Sequence, residues 1–209
     1  FNAQNKYCQE LYNKTNIKKV LYGQAASFRG EENLLGAMAV ARELGMTDEE
    51  ILESLKGIDA SLLGAKIQKG KDGFTVIEST YSANPDGVMA ALEYLQKQPG
   101  KKIIVMPCLI ELGSGSKEVH KAIGAKIATV CDLAIITTKD RFGDIKEAAS
   151  AEASASQRKV EVVYMENSEE IVEKIKSTTS SGPPVDEASD VVLLEGRISA
   201  EFKELFFQL

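Results

Sequence analysis

The chain has 209 residues and a net charge of −6, which allows one large domain or two small ones with a well-buried core. The acidic balance argues against a nucleic-acid or membrane-surface partner, and the longest apolar run, 103–110, contains Pro107 and is far too short to span a bilayer. The widely spaced Cys8, Cys108 and Cys131 favour reduced thiols and a cytoplasmic location over a disulfide framework or a zinc site.

The first 22 residues predict a short polar helix followed by a strand. Tyr7, Leu11 and Tyr12 supply the apolar positions of the helix, and 18–22 (KKVLY) is typical of a short strand. Because the sequence opens on Phe1 within this pattern and not on methionine, we expect the chain to be part of a larger protein.

Residues 31–57 predict a helical hairpin. The first helix ends at Gly45, a residue that readily adopts the left-handed conformation. Thr47, followed three residues later by Glu50, is a capping box that begins the second helix, and Gly57 ends it. The apolar faces of the two helices are Leu34, Met38, Ala41 and Leu44, and then Ile51, Leu52 and Leu55.

Beyond a connector at 59–71, the chain alternates strands with helices. Repeated strand–helix units with right-handed crossovers predict an α/β fold, a Rossmann-like, mainly parallel sheet with helices on both faces. Ser168, followed by two glutamates, is predicted to cap one of the helices. We expect strands at 74–77, 103–106, 133–137, 160–164 and 190–194, and helices at 85–96, 117–130, 142–152, 169–177 and from about 199.

A polar turn joins the first of these strands to its helix. Asn84 is predicted as the N-cap, Pro85 occupies the first helical position, and Asp86 lies beside the positive end of the helix. The turn therefore projects beyond the carboxyl end of the strand, which is where open α/β sheets bind ligands.

Four short motifs follow one another along the chain. They are GEEN at 30–33, YSANP at 81–85, MPCLIELG at 106–113 followed by His120, and DVVLLEGR at 190–197. In order and spacing they resemble the G-x-H-N, YNANP, G-D-M-x-E-L-G…H and D-x-V-L-x-K-G-S-R motifs of the Mur ligases, in particular the subgroup that adds D-alanyl-D-alanine to a UDP-muramoyl tripeptide. The likeness covers nearly the whole chain.

The resemblance implies the C-terminal part of an ATP-dependent amide ligase of peptidoglycan precursor synthesis. In the resembling enzymes ATP phosphorylates a substrate carboxylate, and the amine of an incoming amino acid or dipeptide then attacks the acyl phosphate. Residues 1–63 would be the end of the central ATP-binding domain, including the helical hairpin, and 64–209 the C-terminal Rossmann-like domain. The implied substrates are a UDP-muramoyl peptide and an amino acid or D-Ala-D-Ala, with ATP and Mg²⁺ as cofactors of the full-length parent.

The resemblance also implies a nucleotide site. Asn33 stands where the family reads adenine, and Tyr81, Asn84 and Pro85 match the turn on the nucleotide side. Glu78 and Ser79 stand where the family has a pair of Asp residues before this turn, and Glu78 could make the family's hydrogen bond to ribose with its longer side chain. For Asn33 a local hydrogen bond in the first turn of its helix is an alternative role, and for Glu78 the alternative is a residue that merely ends its strand.

Three further residues are candidates for substrate binding. Glu111 follows a strand at the expected carboxyl edge of the sheet, and Arg197, just past the last strand, is suited to the carboxylate of an incoming amino acid or dipeptide. His120 is the only histidine and an acid–base candidate. A surface salt bridge for Arg197 and a packing or capping role for His120 are the alternatives, and we expect no metal site.

Departures from the family motifs leave other functions open. The sequence contains no G-x-x-x-x-G-K-[ST] phosphate loop, so we expect the chain by itself to be inactive. The alternatives to a ligase are a catalytically silent nucleotide- or partner-binding domain with the ligase fold, or a ligase resembling folylpolyglutamate synthase. At five positions the chain lacks the side chain that the resembling family has. Gln4 and Asn5 replace two carboxylates, Gly36 replaces an Asn, Ala65 an Arg and Ser79 an Asp.

Overall fold

The computed structural model describes residues 1–23, 31–56, 66–69, 73–80, 83–179 and 189–207. The chain divides into two compact units, Phe1–Gly64 and Ala65–Leu209. The division lies next to the boundary expected after residue 63. Among the helices of the described ranges, none is long and apolar enough to cross a bilayer.

The described part of the first unit is helical, with α1 (Lys6–Lys14), α2 (Glu31–Glu43) and α3 (Asp48–Leu55). The predicted capping box of α3 is confirmed, since the Thr47 N–H donates to Glu50 Oε2 at 2.8 Å and the Glu50 N–H donates to Thr47 Oγ1 at 3.2 Å. The strand predicted at 18–22 is wrong. Tyr22 makes only an isolated bridge to Asn2, because Asn5 caps α1 and turns the pairing segment into a helix.

The second unit contains a six-stranded sheet, in the order β1-β2-β6-β3-β4-β5. Every neighbouring pair is parallel except β1 with β2, which is antiparallel, so the predicted mainly parallel sheet is confirmed. The strands are β1 (Lys66–Lys69), β2 (Thr75–Ser79), β3 (Lys102–Met106), β4 (Leu133–Ile136), β5 (Glu161–Tyr164) and β6 (Val191–Glu195).

Helices cover both faces of the sheet, as predicted. Successive strand residues point to opposite faces, so Ile104 and Met106 pack under one helical layer while Ile103 and Val105 pack under the other. The first layer consists of α4 (Pro85–Gln96), α5 (Ser116–Val130) and α6 (Phe142–Ser156), and the second of α7 (Ser168–Thr178) and α8 (Ala200–Phe207).

Helix capping differs from the prediction at one position. Asn84 caps α4 and Pro85 is its first residue, as expected. For α7 the cap is Asn167, whose side chain accepts from the Glu170 N–H at 3.0 Å, and not Ser168. Ser168 is instead the first helical residue and donates its hydroxyl to Glu201 Oε2 at 3.3 Å.

The path of the chain makes a topological switch point at the carboxyl end of β6. The loops that follow β2 and β3 lead to α4 and α5 on one face, whereas the loop that follows β6 leads to α8 on the other. Because β6 lies between β2 and β3, its loop diverges from both neighbours. Open α/β sheets bind ligands at such points.

Candidate functional site

Three of the four motifs meet at Gly196, directly after β6. Its φ is 77°, and its N–H donates to the carbonyl oxygen of Ser79, at the end of β2, at 2.9 Å. A Cβ at this position would lie 3.1 Å from Ala83 Cβ and 3.3 Å from the Pro107 ring. Only glycine therefore fits, and the YSANP, MPCLIELG and DVVLLEGR loops come together here.

Asn84 lies exposed at the tip of the turn after β2. Its Oδ1 accepts from the Gly87 N–H at 2.8 Å, so the carbonyl half of the side chain caps α4. No other described residue accepts from its amide group, so these donors are available to a ligand. Tyr81, the first residue of the motif, lies outside the described residues.

Glu78 is fixed at the end of β2 by residues from two other elements. Its Oε1 accepts from Lys203 Nζ of α8 at 2.6 Å and from the Thr80 hydroxyl at 2.9 Å, and its Oε2 accepts from Gln68 Nε2 at 3.4 Å. Burial raises the pKa of Glu78, but the hydrogen bonds from Lys203 and Thr80 and the charges of Lys203 and Lys66 outweigh it and hold the pKa below its ordinary value. Glu78 is thus a carboxylate at neutral pH.

The loop after β3 is attached to its surroundings at two points. The Cys108 N–H donates to Thr138 Oγ1 at 2.7 Å, and the Leu109 N–H donates to His120 Nε2 at 2.9 Å. His120 is fully buried, and its Nδ1 lies 2.6 Å from the carbonyl oxygen of Ser116. Because Nε2 accepts a hydrogen bond, the hydrogen of the ring is on Nδ1, which donates to Ser116. Both ring nitrogens are therefore used in hydrogen bonds within the protein. This geometry matches the packing alternative for His120.

Glu111 lies at the exposed end of this loop in an unusual backbone conformation. Its φ is 61°, in the left-handed region that costs a non-glycine residue roughly 1 kcal/mol or more and is found at functional sites. Arg197 is exposed directly after Gly196. Because β3 and β6 are adjacent, the two loops are neighbours, and neither Glu111 nor Arg197 forms an ion pair with another described residue.

Asn33 belongs to the first unit, where it lies exposed in the first turn of α2. In the resembling motif a second Asn follows three positions after the first, and this chain has Gly36 there. A Cβ at Gly36 would lie 3.0 Å from two carbons of the Tyr22 ring, so Tyr22 occupies the space that a side chain would need. A pocket of about 320 Å³ lies beside Tyr22 and Gly36, and Asn33 does not line it. Its other lining residues are both apolar and charged: Phe1, Lys18, Lys19, Val20, Ala39, Val40, Glu43 and Leu44.

Lys203, Thr80 and Thr138 are site residues that the sequence did not reveal. Lys203 is 125 residues from Glu78 in the chain. In the sequence it is only a basic residue on an amphipathic helix. Thr80 and Thr138 directly follow or nearly follow strands, at the carboxyl edge. That position is a weak signal that also applies to many structural residues.

The site fits a nucleotide only in part and does not fit a metal ion. Glu78 offers an acceptor suited to a ribose hydroxyl, and Asn84 offers donors at the positive end of α4. Within the described ranges, no three His, Cys, Asp or Glu residues come close enough to hold a metal. The described residues therefore supply no Mg²⁺ site.

Residues 65–198 match the family model described as the Mur ligase, glutamate ligase domain. The chain belongs to the Mur ligase family. It is 28% identical over 98 residues to the UDP-N-acetylmuramoyl-tripeptide–D-alanyl-D-alanine ligase of Bacillus subtilis, covering 46% of the chain and 21% of that protein. It is 34% identical over 107 residues to the enzyme of the same name from Mycobacterium leprae, covering 44% of the chain and 21% of that protein. The Mur ligase chain thus spans about a fifth of the length of these relatives.

Solved Mur ligases share the fold. The chain resembles MurF ligase from Thermotoga maritima, solved in complex with ADP, with a TM-score of 0.60 and 23% identity over 85% of this chain and 38% of that one. It resembles MurF from Acinetobacter baumannii with a TM-score of 0.66 and 17% identity over all of this chain and 51% of that one. The predicted family and α/β fold are confirmed, whereas the individual site residues stay predictions.

Proposed function

We propose that this chain closes over the nucleotide and binds the incoming amine in an ATP-dependent ligase of cytoplasmic peptidoglycan precursor synthesis. The ligase would join an amino acid or D-Ala-D-Ala to a UDP-muramoyl peptide. The convergence of three family motifs on Gly196, at the point where the loop after β6 diverges from its neighbours, carries this proposal. The names of the relatives support the substrate class.

In this proposal the residues on the β2 side of Gly196 bind the nucleotide. When bound, ATP supplies the phosphoryl group that activates a carboxylate for attack by an amine. Glu78 accepts a ribose hydroxyl, and Asn84 and Tyr81 contact the nucleotide from the turn that precedes α4, with Pro85 fixing the helix start. Asn33, in the first unit, reads the adenine ring. Contacts to the phosphates and to Mg²⁺ come from residues outside this chain.

The residues on the β3 side serve the incoming amino acid or dipeptide. A zwitterion carries an ammonium and a carboxylate, and the neighbouring loops present one exposed group of each opposite sign, Glu111 and Arg197. Glu111 binds the ammonium, and the guanidinium of Arg197 binds the carboxylate with two hydrogen bonds. His120 acts behind them by holding the loop at Leu109.

An activity assay of the complete protein tests this function. UDP-muramoyl tripeptide, ATP and a panel of amino acids and D-Ala-D-Ala are supplied, and ADP release is followed. We expect ADP release that requires both the muramoyl peptide and one amine, with Arg197→Met raising the KM for the amine at least about tenfold. The exposed Arg42, which pairs with Asp48 in the first unit, provides the control variant Arg42→Met.

A catalytically silent binding domain is the second candidate. The observation that favours it is the packing of Tyr22 over Gly36, which removes a polar position that the family uses near adenine. On this alternative the complete protein binds nucleotide or a partner but releases no ADP with any amine. The same assay therefore separates the two functions.

A further inference from the structure

We infer that Lys203 is a positioning residue for the nucleotide ribose, because it orients Glu78 so that one carboxylate oxygen is left to receive a ribose hydroxyl. This inference rests on the nucleotide-binding part of the proposed function. Neither the four motifs nor the family match, which ends at residue 198, includes Lys203.

Lys203 and Thr80 form a hydrogen-bond network that holds the Glu78 carboxylate. Lys203 Nζ lies 2.6 Å from Glu78 Oε1 and 2.5 Å from Thr80 Oγ1, and the Thr80 hydroxyl donates to the same Oε1 at 2.9 Å. The three side chains form a closed ring of contacts. The Lys203 side chain is 31% exposed and that of Glu78 is 18% exposed, so the network is partly shielded from water.

Helix α8, which carries Lys203, is held firmly against the sheet. Helix α8 is anchored by Phe202 and Phe206, which are 2% and 3% exposed. Phe206 also contacts Phe74, just before β2, with ring centroids 5.4 Å apart. The backbone of Lys203 is therefore fixed relative to β2, and its ammonium cannot leave Glu78 without the side chain changing rotamer.

The two oxygens of the Glu78 carboxylate differ in the hydrogen bonds that they accept. A carboxylate oxygen accepts about two hydrogen bonds, and Oε1 already has two donors, Lys203 and Thr80. Among the residues that the structure describes, Oε2 receives only the long contact from Gln68, at 3.4 Å. Oε2 is thus the acceptor with capacity for a ligand, and its direction is set by the donors on Oε1.

The experiment measures how well the complete protein distinguishes ADP from 2′,3′-dideoxy-ADP by calorimetry. Because a hydrogen bond to a charged group is lost with the ribose hydroxyls, we expect the wild type to bind ADP about tenfold more tightly than the dideoxy analogue. In Lys203→Met this ratio should fall to within about twofold, since Glu78 is no longer oriented. Lys203→Arg retains a cation and should keep most of the ratio.

Controls separate this role from a purely structural one. Lys176→Met removes an exposed lysine from α7 and should leave the ratio unchanged. Glu78→Gln should abolish the ratio with Lys203 still in place. If Lys203→Met does not fold, Thr80→Val, which removes the hydroxyl between the ammonium and Oε1, should lower the ratio in its place.

Each further outcome has one meaning. A folded Lys203→Met protein that keeps the wild-type ratio overturns the role of Lys203. A wild type that binds ADP and its dideoxy analogue equally overturns the ribose contact and this inference, but leaves nucleotide binding intact. A complete protein that binds neither compound overturns the proposed function as well.

Discussion

Asn84 has two tasks in the proposed enzyme, and three substitutions separate them. Asn84→Ala removes the N-cap of α4, which costs about 1 kcal/mol, and also removes the amide donors. Asn84→Asp and Asn84→Ser keep an oxygen for the Gly87 N–H but change the donors offered to nucleotide. We expect all three to lose turnover by at least about tenfold, equivalent to about 1.4 kcal/mol, while Asp and Ser unfold near the wild-type temperature.

The measurements for Asn84 are thermal unfolding and ADP release by the complete protein. If the residue only caps the helix, Ala alone is impaired, first in stability and then in activity. A stable Asn84→Ser protein with full activity would rule out a contact between this side chain and the nucleotide.

Glu78 should make the stability of the second unit depend on pH. Its folded-state pKa is lowered by Lys203, Thr80 and nearby positive charge against the opposing effect of burial. A lowered pKa stabilises the fold above the unfolded value, about 4.3 for glutamate, and that stabilisation is lost as the pH falls through the folded value. We expect the free energy of unfolding, measured in urea, to fall more between pH 6 and pH 3 for the wild type than for Glu78→Gln. An equal fall in the two proteins would contradict the ion pair.

Residue roles were predictable where they depend on near neighbours in sequence. The Asn84 cap and the Thr47–Glu50 capping box follow from spacings of three residues, and both formed. The ion pair of Glu78 with Lys203 did not follow from any spacing, because it depends on how the last helix packs against β2. The same is true of Tyr22, which fills the space above Gly36.

At the scale of elements, helices α5 and α6 approach each other closely at one glycine. A Cβ at Gly124 would meet the carbonyl oxygen of Ile145 and lie 3.0 Å from its Cα. Gly124→Ala must therefore separate the two helices, and overpacking of this kind costs about 1–3 kcal/mol, more than the roughly 1 kcal/mol of helix propensity that alanine gains. We expect a lower free energy of unfolding in urea.

Gly143, in the first turn of α6, is the matched control for Gly124. A Cβ there would meet no atom within 4 Å, so Gly143→Ala should leave the stability unchanged or raise it by up to about 1 kcal/mol. Equal effects of the two substitutions would show that the α5–α6 contact is looser than described.

The elements that the sequence predicted are those with a strong apolar period. The buried strands β3, β4 and β6 and the helices between them were placed within a few residues. Strand β1 was missed because three of its four residues are exposed, so it lacks the alternation that marks a strand. The strand predicted at 18–22 did not form for the opposite reason. The segment has the composition of a strand, but the residues after its bridge partner Asn2 enter helix α1 and cannot extend the pairing.

At the scale of the whole molecule, strand order decides where the site forms. The sequence predicted parallel strands and polar loops at their carboxyl ends, but it did not predict that the last strand, β6, would lie between the first two parallel ones, β2 and β3. That order depends on pairings between residues far apart in the chain, such as Ile77 with Leu193. It is this order that brings the loops of three motifs together at Gly196.

The isolated chain should bind ATP no better than roughly millimolar, because the proposed contacts are confined to the ribose, the adenine and one helix start. The sequence contains no G-x-x-x-x-G-K-[ST] motif, and within the described ranges no three His, Cys, Asp or Glu residues form a cluster for Mg²⁺. We therefore expect the phosphates of ATP to gain little from this chain. Calorimetry of the isolated chain measures the affinity directly. The complete protein, titrated with ATP and Mg²⁺ under the same conditions, should bind at least about a hundredfold more tightly, a difference of about 2.7 kcal/mol. A micromolar constant for the isolated chain would mean that its phosphate contacts lie within these 209 residues and that the site at Gly196 is misplaced.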